Sequence, residues 1–247
     1  MYDVVIVGCG VIGAACAYEL SKYDLSVCVL ERSNDVANGT TKANSAIVHA
    51  GYDPKPGTAM ARLNVAGNQM MGELCEKLDV PFRRIGSHVL AFSAADMDML
   101  RTLYDRGTKN GVPGLQLLTA SQVREMEPEL ADTVLGSLWA PSAGIVSPWE
   151  LTLALIETAV RNGVELRLES PVRGITKSAE YFCVETAQDT VEADSFDNQY
   201  DAGATNPSIV ITTVSSVGEL QSAFSALSDL GEGSQVKISK ITIKEMK

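Results

Sequence analysis

The spacing of apolar positions changes several times along the chain, and each change marks an element. Tyr2 to Val7 reads Tyr-Asp-Val-Val-Ile-Val, a β-branched run with no polar alternation, as expected of a strand covered on both faces of a parallel sheet. Gly8-Cys9-Gly10-Val11-Ile12-Gly13 follows, then Ala14, Ala15, Ala17, Glu19 and Leu20, which are good helix formers. Asp24 leads into a second strand ending Leu25-Ser-Val-Cys-Val-Leu30. Between Gly57 and Leu78, Met60, Leu63, Ala66, Met70, Leu74 and Leu78 recur every three or four positions, which predicts a helix with one buried face. Met97, Leu100 and Leu103 repeat the pattern over Ala94 to Asn110, and Ser121 to Met126 predicts a short helix stopped before Pro128. Gly86 to Phe92, Val134 to Trp139 and Tyr181 to Thr186 read as strands; Pro148 to Arg161 reads as a helix with Pro in its first turn and Gly163 after its end. Strands and helices alternating in this way predict an α/β fold.

Composition narrows the function classes. With 247 residues, 45% apolar and 21% charged, the chain can bury a substantial core, which excludes a disordered or collagen-like protein. The net charge of −11 repels phosphate backbones, so no nucleic acid partner is expected. The five cysteines Cys9, Cys16, Cys28, Cys75 and Cys183 form no CxxC pair, which encodes neither a disulfide framework nor a metal site and fits a cytoplasmic location. The most apolar stretch, Val4 to Tyr18, is shorter than the roughly 20 residues of a spanning helix. It also lacks the positive flank of a signal peptide.

The glycine turn carries the first chemistry. In the pattern GxGxxG, Gly8 makes the tight turn, Gly10 lets backbone amides approach a pyrophosphate, and Gly13 lets helix and strand pack closely. The phosphates of a dinucleotide would sit on the helix N-terminus. Glu31, 18 residues beyond Gly13 and at the end of the second strand, can accept both hydroxyls of an adenosine ribose and would repel a 2′-phosphate. These residues disfavour NADP and leave FAD and NAD both open.

Further along, the chain resembles a flavoenzyme family. Glu31-Arg32, Gly39-Thr40-Thr41-Lys42-Ala43-Asn44-Ser45, Ile47-Val48-His49-Ala50-Gly51-Tyr52, Gly57 to Asn64, Gly86 to Phe92 and Ala143 to Glu150 together resemble the FAD-dependent glycerol-3-phosphate and L-2-hydroxyglutarate dehydrogenases. These belong to the D-amino-acid-oxidase-like superfamily. The resemblance is followed over residues 1–194. It implies a Rossmann-like, glutathione-reductase-like FAD-binding fold from 1–80 and 140–194, with part of an inserted substrate domain over 81–139.

The resemblance also implies site residues. Gly8, Gly10, Val11, Ile12 and Gly13 would lie under the FAD pyrophosphate, Glu31 on the ribose and Arg32 beside the adenine. Thr40, Thr41, Asn44 and Ser45 match contacts in the loop under the flavin, with Ile47 to Gly51 beside the ring system, and Val172 matches a position whose backbone holds the adenine. No metal is expected. Oxidising an alcohol requires loss of a hydroxyl proton, and His49 is the candidate to take it; a histidine that orders the flavin loop or hydrogen-bonds substrate is the alternative. His88, in an alternating apolar run, reads as a strand residue, and Lys42, Lys55 and Arg62 as solvated charges.

The expected partners are a small hydroxylated anionic substrate and a quinone, an electron-carrier protein or oxygen as electron acceptor. Relatives that reduce quinones dock on membranes, so peripheral membrane contact belongs to the expectation. A glycine- or sarcosine-type amine oxidase, a non-catalytic nucleotide-binding fragment and an NAD-dependent enzyme are the rival readings. After Asp194 the resemblance ends: Ser195 to Pro207 reads as a polar linker, Ile209 to Val214 as a strand, Val217 to Leu230 as a helix and Val236 to Ile243 as a strand. The resemblance implies a hydrophobic strand closing in an Ala-Gly pair after Asp194, which the sequence does not supply there; two explanations stand, a truncated flavoprotein whose tail is foreign or shifted in frame, which that difference favours, or a compact variant that completes its sheet with Ile209 to Thr213.

Overall fold

The computed structural model describes residues 1–177, 181–194 and 209–212. Its elements begin with β1 (Val4–Val7), α1 (Val11–Leu20), β2 (Val27–Leu30), a single 3-10 turn at Thr40–Lys42, β3 (Ile47–Val48) and α2 (Ala59–Lys77). They continue with β4 (Phe82–Arg83), β5 (Ser87–Ala91), α3 (Ala94–Lys109), β6 (Gln116–Thr119), α4 (Ala120–Met126), β7 (Gly136–Ala140) and β8 (Gly144–Val146). The last are α5 (Pro148–Arg161), β9 (Glu165–Arg167), β10 (Val172–Lys177), β11 (Tyr181–Thr186), β12 (Thr190–Asp194) and β13 (Ile209–Thr212). The expected linker over 195–207, helix over 217–230 and strand over 236–243 lie outside the described residues.

Two compact units emerge, one holding Met1–Asn44 with the described part of Pro148–Lys247, the other Ser45–Ser147. The second unit is wider than the expected inserted segment of 81–139. The reason is strand pairing: β8 binds β3 on one side and β4 on the other, antiparallel to both, which ties 45–48 to 144–146.

In the first unit a parallel sheet runs in the order β13, β1, β2, β9, with Val4 opposite Val27 and Ile209 and Cys28 opposite Glu165. Every residue of β2 is buried, which explains its unbroken apolar sequence. Because successive side chains alternate, Val5, Cys28 and Leu30 share one face, where they pack with Val184, Val191 and Ala193 of the antiparallel meander β10–β11–β12. Helix α1 lies against the other face and packs on α5. Gly13, Ala14, Ala15 and Ala17 of α1 are all buried, and their small size permits that close approach. Helix α5 buries Leu151, Leu155 and Ile156, each contributing about 1.5–3 kcal/mol of apolar transfer.

The second unit joins the β3–β8–β4 and β5–β7–β6 sheets to α2, α3 and α4. Its helices start where the sequence supplies acceptors: Thr58 Oγ1 accepts from Ala61 N–H, Ser93 from Asp96 N–H, and Thr119 with Gln122 forms a reciprocal capping box. Ala91, Leu100, Leu103, Leu138 and Ala140 form its core with Ala50 and Tyr52. Strand β7 starts two residues later than the apolar run suggests. Val134 closes a turn onto Ala131 O and packs with Leu118 and Val123. Among the described residues no helix is long and apolar enough to cross a membrane.

Candidate cofactor site

Gly8 leaves β1 with φ +95°, a conformation that costs an L-residue free energy and glycine very little. Its N–H donates to Leu30 O at 2.8 Å, so the turn stays fastened to β2. Gly10 begins α1 in extended geometry. The first N–H groups of a helix have no intrahelical acceptor, and here that of Val11 is met from 30 residues away, by Thr41 Oγ1 at 3.0 Å. The N–H groups of Ile12 and Gly13 lie in the same first turn. A Cβ on Gly10 would stand 3.0 Å from Thr41 Oγ1, so glycine keeps open the space over the helix start.

Glu31 is 7% exposed, and its carboxylate is fixed by the backbone. Oε2 accepts Cys9 N–H at 2.7 Å and Oε1 accepts Ser33 N–H at 2.9 Å. These charge-assisted bonds orient both oxygens while leaving each a further lone pair. The main chain of Glu31 pairs with Arg167 O and Ser170 N–H, and Glu169 N–H donates to Ser33 O. Residues 167–170 therefore run beside 31–33 and deliver Val172, half-buried, to the start of β10. Burial, reinforced by the charges of Glu31 and Asp35, pushes the Cys9 thiol well above its ordinary range. Burial likewise raises Cys16 to about 12 and Cys28 and Cys75 to about 11, so these four stay protonated thiols near neutral pH. Arg32, Thr40 and Asn44 are exposed, and Asn44 Nδ2 donates to Thr41 O at 2.6 Å.

Ser45, Ile47 and His49 belong to the second unit. Ser45 is exposed, Ile47 faces out of β3 and His49 is exposed between buried Val48 and Ala50. The His49 carbonyl accepts from Asn68 Nδ2 at 3.0 Å, and Gly51 follows with φ +107°. His88 lies on β5, with Nδ1 2.9 Å from Ser137 Oγ and its ring 4.4 Å from that of Trp139. Burial lowers its pKa, opposed by the charge of Glu127.

Two features escaped the sequence reading. The Thr41 hydroxyl as cap of α1 joins positions 30 apart and has no local signal. Asn64 and Asn68, both buried in α2, did leave one: amides four residues apart on one helix face with Ala61, Met71 and Cys75. Among the described residues no group of three or more His, Cys, Asp or Glu is placed to hold a metal ion.

The residues of the first unit fit FAD: a glycine cradle that a single Cβ would obstruct, open amides at a helix start and a buried, pre-oriented carboxylate at the end of β2. Comparison agrees. Residues 3–220 match the family described as DAO, FAD dependent oxidoreductase. The chain is 51% identical over 192 residues to a glycerol 3-phosphate dehydrogenase from Caloramator mitchellensis, covering 78% of this chain and 40% of that protein. It is 32% identical over 190 residues to an L-2-hydroxyglutarate dehydrogenase from Escherichia coli, covering 76% and 44%. It also resembles the L-α-glycerophosphate oxidase of Mycoplasma pneumoniae, solved with FAD bound, at a TM-score of 0.72 and 30% identity over 79% of this chain and 51% of that one. The chain thus spans about half the length of these relatives or less. The family match also runs past residue 194, where the resemblance read from the sequence stops, and takes in Ile209–Thr212, the strand that stands beside β1. With a glycine turn, an acid-ended second strand and a match over most of its length, this chain belongs to the DAO family of FAD-dependent oxidoreductases.

Proposed function

We propose that the chain oxidises a small hydroxylated anionic substrate, glycerol 3-phosphate first and L-2-hydroxyglutarate second. The observation that carries this reading is the 51% identity to a glycerol 3-phosphate dehydrogenase in a chain whose glycine turn and Glu31 fit the cofactor. Gly10, Ile12 and Gly13 would hold the pyrophosphate through backbone N–H groups, with Gly8 making the turn that presents them, and Glu31 would accept the ribose hydroxyls. Arg32, Thr40, Thr41, Asn44, Ser45, Ile47 and Val172 complete the proposed contact set. FAD, when bound, supplies the acceptor for the hydride that leaves the alcohol carbon.

His49 does the remaining work on the substrate. As the hydroxyl oxygen becomes a carbonyl oxygen its proton must leave, and the exposed imidazole of His49 is the group proposed to take it. A quinone, an electron-carrier protein or oxygen is the proposed terminal acceptor.

Anaerobic rapid mixing of FAD-loaded chain with glycerol 3-phosphate, L-2-hydroxyglutarate or glycine tests the reading. The expected result is flavin bleaching by a hydroxy substrate and none by glycine. His49→Asn is expected to slow bleaching by about 10²–10⁴-fold. Bleaching by glycine alone would overturn the substrate class, and an unchanged rate in His49→Asn would remove His49 as the base.

A further inference from the structure

The segment from His49 to Pro54 has no regular structure beyond its ends, yet side chains hold its carbonyls one after another. Asn68 Nδ2 holds His49 O at 3.0 Å, Asn110 Nδ2 holds Gly51 O at 2.9 Å and Pro54 O at 2.8 Å, and Arg106 Nη1 holds Asp53 O at 2.9 Å. The bond at His49 differs from the others in how much supports it. Asn68 is 3% exposed, on the buried face of α2 with Ala61, Met71 and Cys75, where an aliphatic side chain would pack at no polar cost. A buried amide there costs free energy unless its groups are paired.

Both Asn68 donors are engaged, one by His49 O and one by Ser142 O at 2.9 Å. Its Oδ1 accepts Arg84 Nη1 at 2.9 Å. Arg84 Nη1 also reaches Ser142 O at 2.6 Å, and Nη2 donates to Asn68 O at 2.8 Å. A guanidinium donates only, so it dictates which end of the amide faces it. The NH2 end is thereby turned toward His49 O.

We propose that Asn68, oriented by Arg84, is a positioning residue that fixes the backbone of His49 and with it the place from which the imidazole works. The proposal rests on the role given to His49 above. A group that moves a proton must be held close to its productive position, and displacement by about 1 Å costs about 10²-fold in rate. Packing holds the neighbours of His49, buried Val48 and Ala50, but His49 itself is exposed, so its own carbonyl is the handle by which its backbone is fixed. Asn68 grips it from the rigid middle of a helix.

Asn68→Asp separates this role from mere packing. Aspartate keeps the shape and gains a charge partner in Arg84, but it turns an acceptor toward two carbonyl oxygens. Arg84→Lys is the milder companion, keeping the charge and losing the two-pronged grip. Two readouts are taken on the FAD-loaded chain: hydrogen exchange of amides 47–54, and the anaerobic rate of flavin reduction by glycerol 3-phosphate.

The expected result is that both variants speed exchange over 47–54, by about tenfold in Asn68→Asp, and slow reduction by up to about 10²-fold with FAD content unchanged. Placed on His49→Asn, Asn68→Asp adds no further slowing, because the group it positions is gone. Unchanged exchange in both variants overturns the proposal whatever the activity. So does equal slowing in the presence and absence of His49. A wild-type chain that no hydroxy acid bleaches, yet whose exchange responds to Asn68→Asp, would instead retire the proposed reaction and leave Asn68 as the anchor of this loop.

Discussion

Gly10→Ala isolates the cradle over the start of α1. Gly10 has φ −75° and ψ 179°, a conformation open to any residue, so alanine introduces no backbone strain and acts through space alone. Its Cβ would lie 3.0 Å from Thr41 Oγ1, an oxygen that must then give by a few tenths of an ångström. That oxygen already sits 3.0 Å from Val11 N, and moving it stretches the bond toward the limit of useful length. The loss is one net hydrogen bond, about 1 kcal/mol, or about 2–4 °C in Tm for a chain of this size. Affinity for FAD should fall more steeply, by about tenfold or more, because the methyl occupies the approach to the pyrophosphate. The assay pairs thermal unfolding of cofactor-free chain with an FAD titration. In Gly10→Ala/Thr41→Ala the clash is relieved, so stability should match Thr41→Ala alone while the FAD defect persists. An FAD Kd within about twofold of wild type would refute the placement of phosphates over Gly10.

Glu31→Gln places an NH2 against one of the two backbone donors, Cys9 N–H or Ser33 N–H. It should cost about 1–3 kcal/mol in denaturant unfolding and weaken FAD; unchanged stability would contradict the carboxylate geometry. Gly51→Ala combines a positive φ of +107° with a Cβ 2.7 Å from Val65 Cγ2, whereas Gly57→Ala has φ +80° and open space. Both should lower Tm, the former well beyond the roughly 1–3 kcal/mol of strain alone, and equal losses would refute the clash. His88 has its pKa lowered by burial, so below about pH 6.5 the unfolded chain binds more protons than the folded one. Stability conferred by neutral His88 is present above that value and declines as pH falls. The Tm of wild type should therefore drop more than that of His88→Gln between about pH 7 and about pH 5.5; parallel curves would refute it.

Much of the first unit was legible because local pattern and tertiary demand agree there. Val4–Val7 and Val27–Leu30 are unbroken apolar runs, and parallel strands buried on both faces require that. Gly8 and Glu31 were legible for the same reason, each being the residue type its position needs. What sequence pattern leaves out is pairing over long separations. Ile209–Thr212 reads as a strand, but nothing local says that it lies beside β1 in register with Val4–Val7; that edge position is what the reading of a compact variant completing its sheet would require. The two-residue strand β3 and the three-residue β8 carry no periodicity, so the division at Ser45 and Ser147 was invisible. On α2 the apolar period misplaced the buried face: Met60 is 56% exposed while Asn64 and Asn68 are buried, and the role of Asn68 shows only through its partners, His49 O and Ser142 O.

The measurement that bears most directly on the account is the visible spectrum of the purified chain, with its released cofactor identified, followed by anaerobic addition of glycerol 3-phosphate. Yellow chain carrying FAD that bleaches on addition is the predicted result. Colourless chain that takes up no added FAD would contradict the cofactor site itself, and bound FAD that no hydroxy substrate bleaches would contradict the proposed reaction.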